Sequence, residues 1–141
     1  MSEFNSISLR RNIVETALVQ NPREVVLVSV ELWANLATVL VSLMGSSGFS
    51  TLYRRNLRLV AQRFPSLAQS LTDRDADDRF DELRKNLSEL DSLTATVASL
   101  ALLDSFLGLL SELVGEAITY KVLTQAWPDR LLPTIEKDTL K

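Results

Sequence analysis

The feature that most constrains the fold is a run of 22 uncharged residues, Leu32 to Tyr53, which ends against Arg54, Arg55 and Arg58. Its apolar residues recur every three or four positions, as on one face of a helix. The run is also long enough to cross a bilayer, with the arginines as a cytoplasmic flank. However, seven Ser, Thr and Asn residues and two glycines interrupt it and disfavour insertion. The run therefore predicts the core helix of a soluble protein.

A similar pattern returns 70 positions further along the chain. Trp33, Leu36, Leu40, Leu43 and Gly45 correspond to Leu103, Phe106, Leu110, Leu113 and Gly115. An internal duplication of residues 8–65 and 75–127, each half an αα-hairpin, explains the match. Seventy is also a multiple of seven, so two unrelated heptad-like helices would align at the same offset. The sequence leaves both interpretations open.

The first half of the chain predicts two helices. The first covers residues 8–20. The second starts near Pro22, with Asn21 as its N-cap and Glu24 at the third helical position, a pattern typical of helix starts. Gly45 and Gly48 then predict a kink, or a point of close packing, within one long helix. Pro65 ends that helix, because proline disfavours helical backbone at the residue before it.

The second half predicts two more helices, of which the first carries a heptad pattern, at Phe80, Leu83, Leu87 and Leu90. We expect a break at residues 92–96, where hydroxyl and β-branched side chains cluster. The last helix is apolar on most sides, which predicts a central, buried position. It contains a second expected kink, near Gly115, and ends at residues 127 and 128. The tail, residues 128–141, is expected to be irregular.

The helix pattern predicts an all-α protein, a single domain of residues 1–141 folded as an antiparallel four-helix bundle. The length of 141 residues is that of one ordinary domain. The apolar content exceeds what four short helices need, and both tryptophans lie near predicted helix ends. These features predict a homodimer.

The absence of both cysteine and histidine excludes whole classes of chemistry. Disulfides, thiol nucleophiles, Cys/His zinc sites, serine–histidine triads and phosphotransfer through histidine all require one of the two. The net charge of −3 gives no overall attraction to nucleic acid or to anionic lipid. The first residues lack the pattern of a secretory signal. We therefore expect a cytoplasmic protein of a bacterial style, with no cofactor.

Two acidic groups have features of a metal or catalytic site. The stretch from Asp73 to Glu82 begins like a calcium loop, but Asp78 stands where that loop needs glycine and Arg84 where it needs glutamate. The acidic stretch is better explained as the N-terminus of a helix, where the helix dipole favours acidic side chains. The pair Glu112 and Glu116 has helical spacing, but carboxylate metal bundles also need histidine. The sequence thus predicts no metal site and no enzyme.

The residues most suited to contact a partner lie at the end of the uncharged run and near the end of the last helix. The predicted partner or anion contacts are Tyr53, Arg54, Arg55, Arg58, Arg63 and Trp127. Neighbouring arginines on one helix face can clamp a carboxylate or phosphate; the competing interpretation is a solvated face paired with acidic residues. The main hypothesis is a non-enzymatic interaction or regulatory module, such as a signalling adaptor.

Two other hypotheses stay open. One is a small-ligand or anion sensor whose pocket opens where Gly45, Gly48 and Gly115 let helices separate. The other is a membrane-associated helical protein. Contact with nucleic acid is not expected.

Overall fold

The computed structural model describes residues 24–70 and 76–128, together with Val14, Thr16 and Leu18. Within these ranges all regular structure is helical and no strand occurs, which confirms the all-α prediction. The α-helices are α1 (Val25–Ala61), α2 (Ala76–Ser88), α3 (Ser92–Val114) and α4 (Glu116–Ala126). A 3-10 helix, Pro65–Ser70, follows α1.

The start of α1 differs from its prediction. The helix begins at Val25, so that Glu24 precedes it instead of occupying its third position, and no side-chain hydrogen bond caps it. The predicted cap at Asn21 and Pro22, the predicted tail and most of the predicted first helix lie outside the described residues. Within that first helix, Val14 and Leu18 are helical and fully buried.

The predicted kink in the long helix is present at Gly45, and it is sharp enough that the chain folds back on itself there. Gly45 has φ 81° and ψ 162°, a conformation open almost only to glycine. The rings of Trp33 and Tyr53 lie 5.1 Å apart, whereas a continuous helix would separate these residues by about 30 Å. We call residues 25–44 the first arm of α1 and residues 46–61 its second arm. Gly48 lies within the second arm.

Gly115 has nearly the same backbone conformation as Gly45, with φ 91° and ψ 162°. It ends α3 and precedes α4, so the predicted kink near Gly115 is instead a junction between two helices. The burial pattern repeats at the same offset of 70 residues. Pairs that are both buried are Val25 and Ala95, Val28 and Ala98, Ser29 and Ser99, Leu32 and Leu102, Trp33 and Leu103, Leu36 and Phe106, and Leu40 and Leu110.

The predicted break between α2 and α3 is present, at residues 89–91 and so directly before the predicted residues 92–96. α2 ends at Ser88 and α3 begins at Ser92, after its N-cap Asp91. The Asp91 carboxylate accepts a hydrogen bond from the backbone N–H of Thr94 at 2.7 Å. The hydroxyl-rich residues 92–96 therefore start a helix instead of breaking one, because the cap satisfies a free N–H of the first turn.

The core lies where α1 packs against α2, α3 and α4. Its centre is a cluster of aromatic rings whose centroids lie 5.0 to 6.5 Å apart. Both arms of α1, α2 and α3 each contribute rings to this cluster. The rings belong to Trp33, Phe49, Tyr53, Phe80 and Phe106. The predicted burial of the last apolar helix holds for its middle, because residues 98–111 of α3 are all buried or half-buried. Near its ends, Leu93 and Leu113 are 74% and 65% exposed.

Candidate functional site

Two hydrogen bonds tie the halves of the molecule together in a reciprocal way. Asn56 Nδ2, in the second arm of α1, donates to the carbonyl oxygen of Leu102 in α3 at 2.9 Å. Trp127 Nε1, at the end of α4, donates to the carbonyl oxygen of Leu32 in the first arm at 2.9 Å. The two acceptors are 70 residues apart, so each half binds the equivalent carbonyl of the other. These bonds fix the second arm and α4 on the opposite half.

The second arm of α1 lies along α3 with the opposite chain direction. Phe49 contacts Phe106, with ring centroids 5.8 Å apart, and Asn56 bonds to Leu102, so the numbers rise on one helix as they fall on the other. These two helices line a cleft of ≈ 490 Å³. The cleft is lined by Ser47, Gly48, Thr51, Leu52, Arg55, Leu109, Glu112 and Leu113.

The cleft combines an apolar surface with opposite charges on its two walls. Leu52, Leu109 and Leu113 provide the apolar surface. Arg55 stands on the second-arm wall and Glu112 on the α3 wall, and both are exposed. Such a mixture of apolar area and a few charged groups is typical of binding sites.

Thr51 contributes a hydroxyl that is already used as a donor. Its Oγ1–H donates to the Ser47 carbonyl oxygen at 2.9 Å, one turn earlier in the same helix. The hydroxyl oxygen can still accept hydrogen bonds, because a threonine hydroxyl has two lone pairs besides its one O–H donor.

The chemistry of the cleft is not repeated in the other half. At the offset of 70, Gly48 corresponds to Ile118, Arg55 to Gln125 and Glu112 to Ser42. Position 48 thus carries no side chain, whereas position 118 carries a branched one that is 45% exposed. A Cβ on Gly48 would lie 3.3 Å from Met44 Cβ, tighter than normal packing. The two halves thus share a scaffold, and one of them carries this cleft.

The structure places the predicted contact residues in different environments. Tyr53 lies in the aromatic cluster and Trp127 is buried with its indole N–H bonded to Leu32, each only 2% exposed. The chain itself covers these two side chains, which therefore lie outside the candidate contact surface. Among the predicted residues, Arg55 is the one that lines the cleft.

The other predicted arginines lie outside the cleft lining. Arg54 is half-buried, whereas Arg58 and Arg63 are exposed. The Arg63 guanidinium lies 5.6 Å from the centre of the Phe64 ring, which is a cation–π distance. Of the four predicted arginines, Arg55 is thus the one in the lining of this cleft.

The sequence does not predict Glu112 as a cleft residue, because its spacing from Glu116 suggests that the two are neighbours on one helix. Gly115 separates the two residues into different helices, and the Ser111 hydroxyl donates to the Glu116 carboxylate across this junction. The signal that could have identified Glu112 is its charge in a helix that has few charged residues. Within the described ranges, no group of three or more acidic side chains is close enough to hold a metal ion.

Two helices, Val25–Ala61 and Ser92–Val114, are long and apolar enough to cross a membrane by these criteria alone. Core helices of soluble proteins also meet them, so the finding is weak evidence. In each helix 44% of the most apolar window is buried inside the molecule. The run from Leu32 to Tyr53 is bent back at Gly45 and is not one straight span.

Comparison of the chain with models of protein families, with curated proteins and with solved structures finds no match.

Proposed function

We propose that this chain is a non-enzymatic regulatory interaction module, which binds a segment of a partner protein in the cleft between the second arm of α1 and α3. The observation that carries the proposal is the cleft itself: an apolar surface between two helices, with Arg55 on one wall and Glu112 on the other. Grooves of this kind take the apolar face of a partner helix and use flanking charges for specificity.

The rim of the cleft favours a macromolecular partner over a small molecule. Leu113 lines the cleft and is 65% exposed, so apolar surface continues from the cleft onto the outside of α3. A helix laid in the groove would cover this surface as well, whereas a small molecule inside the cleft would leave it in water.

Site-specific photo-crosslinking in cells tests the proposal. A photoreactive residue is placed at Thr51, inside the cleft, or at Lys121, its equivalent in the other half. We expect a discrete adduct from position 51 that disappears when Gly48→Ile fills the cleft. The same adducts from positions 51 and 121, unchanged by Gly48→Ile, would refute the proposal.

A small-ligand sensor is the second candidate, because ≈ 490 Å³ falls within the range of small-molecule pockets. A set of amphipathic metabolites and anions, screened by thermal shift on the wild type and on Gly48→Ile, separates the two. A raised Tm in the wild type alone, without a crosslinked protein, supports the sensor.

We also propose that the antiparallel bundle derives from a duplicated αα-hairpin and that it forms a homodimer in the cytoplasm. Two apolar residues exposed at equivalent positions of the halves and outside the cleft lining, Leu27 and Val97, support self-association. Sedimentation of the purified chain measures the dimer. Fractionation of lysate without detergent tests the membrane alternative, which predicts recovery in the pellet.

A further inference from the structure

We infer that the occupant of the cleft is an amphipathic helix whose apolar stripe has a carboxylate along one side and an amine or guanidinium along the other. This inference rests on the proposed function, and it names the chemistry of the partner segment. Only one such segment binds per chain, because the equivalent positions of the other half carry Ile118, Gln125 and Ser42.

The argument starts from the apolar surface. A helix that lies between two helices presents residues spaced three and four apart to them. Leu52 from the second arm, and Leu109 and Leu113 from α3, are the apolar side chains that such a stripe meets. The partner thus buries apolar side chains along one face and leaves its opposite face in water.

The charges then select the flanks of the stripe. Arg55 and Glu112 belong to different helices and lie on opposite walls of the cleft, so each wall meets a different flank of the bound helix. A carboxylate beside Arg55 and a cation beside Glu112 are attracted, whereas like charges are repelled. Both groups are exposed, so water and salt screen the interaction and the effect is on selectivity more than on affinity.

The experiment uses three synthetic helical peptides with one leucine stripe, whose flanks are Glu and Lys, Glu on both sides, or Lys on both sides. Fluorescence anisotropy at low salt measures their binding to the full chain. We expect the Glu and Lys peptide to bind about threefold more tightly than either of the others, the size of an exposed ion pair. The preference should fall in 0.5 M salt, and titration should give one peptide per chain.

Charge reversals make the test specific. Glu112→Lys gives two cationic walls and should prefer the peptide with Glu on both sides. Arg55→Glu should prefer the peptide with Lys on both sides. Arg58→Glu and Glu31→Lys, both exposed and outside the cleft lining, are matched controls and should leave the order of affinities unchanged.

The outcomes separate the two levels of the proposal. If the peptides bind wild type equally, or if the reversals do not change the order, the inference on charge is overturned while the cleft stands. If no peptide binds, or if Gly48→Ile and Leu113→Ser bind as wild type does, the cleft proposal fails as well. Leu113→Ser provides a second variant because this residue is 65% exposed and contributes little to folding.

Discussion

The ring centroid of Trp33 lies 5.1 Å from that of Tyr53, with the rings at 75°. The two residues stand on either side of Gly45 in one continuous uncharged run. Their contact shows that this run is a folded hairpin with an aromatic interior. Edge-to-face pairs of this type contribute about 0.5–1.5 kcal/mol beyond the area they bury. The turn at Gly45 is therefore what brings the two rings into contact.

Gly45→Ala should destabilise the protein. Nothing lies within 4 Å of the added Cβ, so the cost comes from the backbone at φ 81° and ψ 162° and amounts to about 1–3 kcal/mol. Gly108→Ala is the control, because Gly108 lies inside α3 with open space around its Cβ position; it should stabilise by about 1 kcal/mol. Urea unfolding measures both. Equal stability of the two variants would contradict the prediction.

Trp127→Phe should cost more than Trp33→Phe, although both remove the same atoms from a buried indole. Trp127 Nε1 donates to Leu32, whereas Trp33 Nε1 is buried and has no hydrogen-bond acceptor among the described residues. The first change loses a hydrogen bond and the second removes an unsatisfied donor, so the difference should be about 1–3 kcal/mol. Thermal unfolding measures it. A larger loss for Trp33→Phe would refute the assignment.

Asn56→Asp should be strongly destabilising at neutral pH. Asn56 is fully buried and its amide donates to the Leu102 carbonyl. A carboxylate there would be a buried charge without a donor facing it, which costs about 3–5 kcal/mol. Asn56→Leu is the control: it loses the same hydrogen bond, but it also removes the unsatisfied Oδ1 and adds no charge, so the change should be within about 1 kcal/mol. Chemical denaturation of both variants gives the answer, and a stable Asp variant would rule out this account.

Asp91 should make the stability depend on pH in acid. Hydrogen bonds from the Thr94 hydroxyl and from its backbone N–H hold the pKa of Asp91 below its usual value. The stabilisation is therefore fully present above the unfolded pKa, about 4, and is lost as the pH falls through the lower folded pKa. Asp91→Ala should lower the Tm at pH 7, by an amount that shrinks below pH 4.

Asp91→Asn is the matched control for this pH effect. Asparagine caps helices about as well as aspartate and does not titrate. The Asn variant should keep most of the Tm at pH 7 and lose the pH dependence that belongs to this position. A gap between wild type and Asp91→Ala that stays constant down to pH 2 would contradict the linkage.

Sequence periodicity alone identified the helical class and much of the core. Leu36, Leu40, Leu83 and Leu87 are buried, as their spacing predicts. Periodicity failed at the ends of helices, as at Asp91, because a cap depends on one local hydrogen bond and not on a repeated pattern. It also failed on Tyr53, since a residue next to arginines looked exposed when only neighbours in the chain were considered.

The sequence alone does not predict the cleft. Arg55 and Glu112 are 57 positions apart, and nothing in their spacing places them on opposite walls of one groove. The sequence predicts Gly48 as a kink or a point of close packing, whereas only the structure places it in the lining of the cleft.

The sequence by itself determined the helices, the uncharged run and the recurrence of its pattern 70 residues later, because these follow from local propensity and spacing. Only the tertiary structure decided that Gly45 and Gly115 reverse or end helices with the same backbone conformation. It also decided that Asn56 and Trp127 bind equivalent carbonyls. The physical reason is that glycine permits a turn without requiring one, and the contacts across the turn select the folded arrangement.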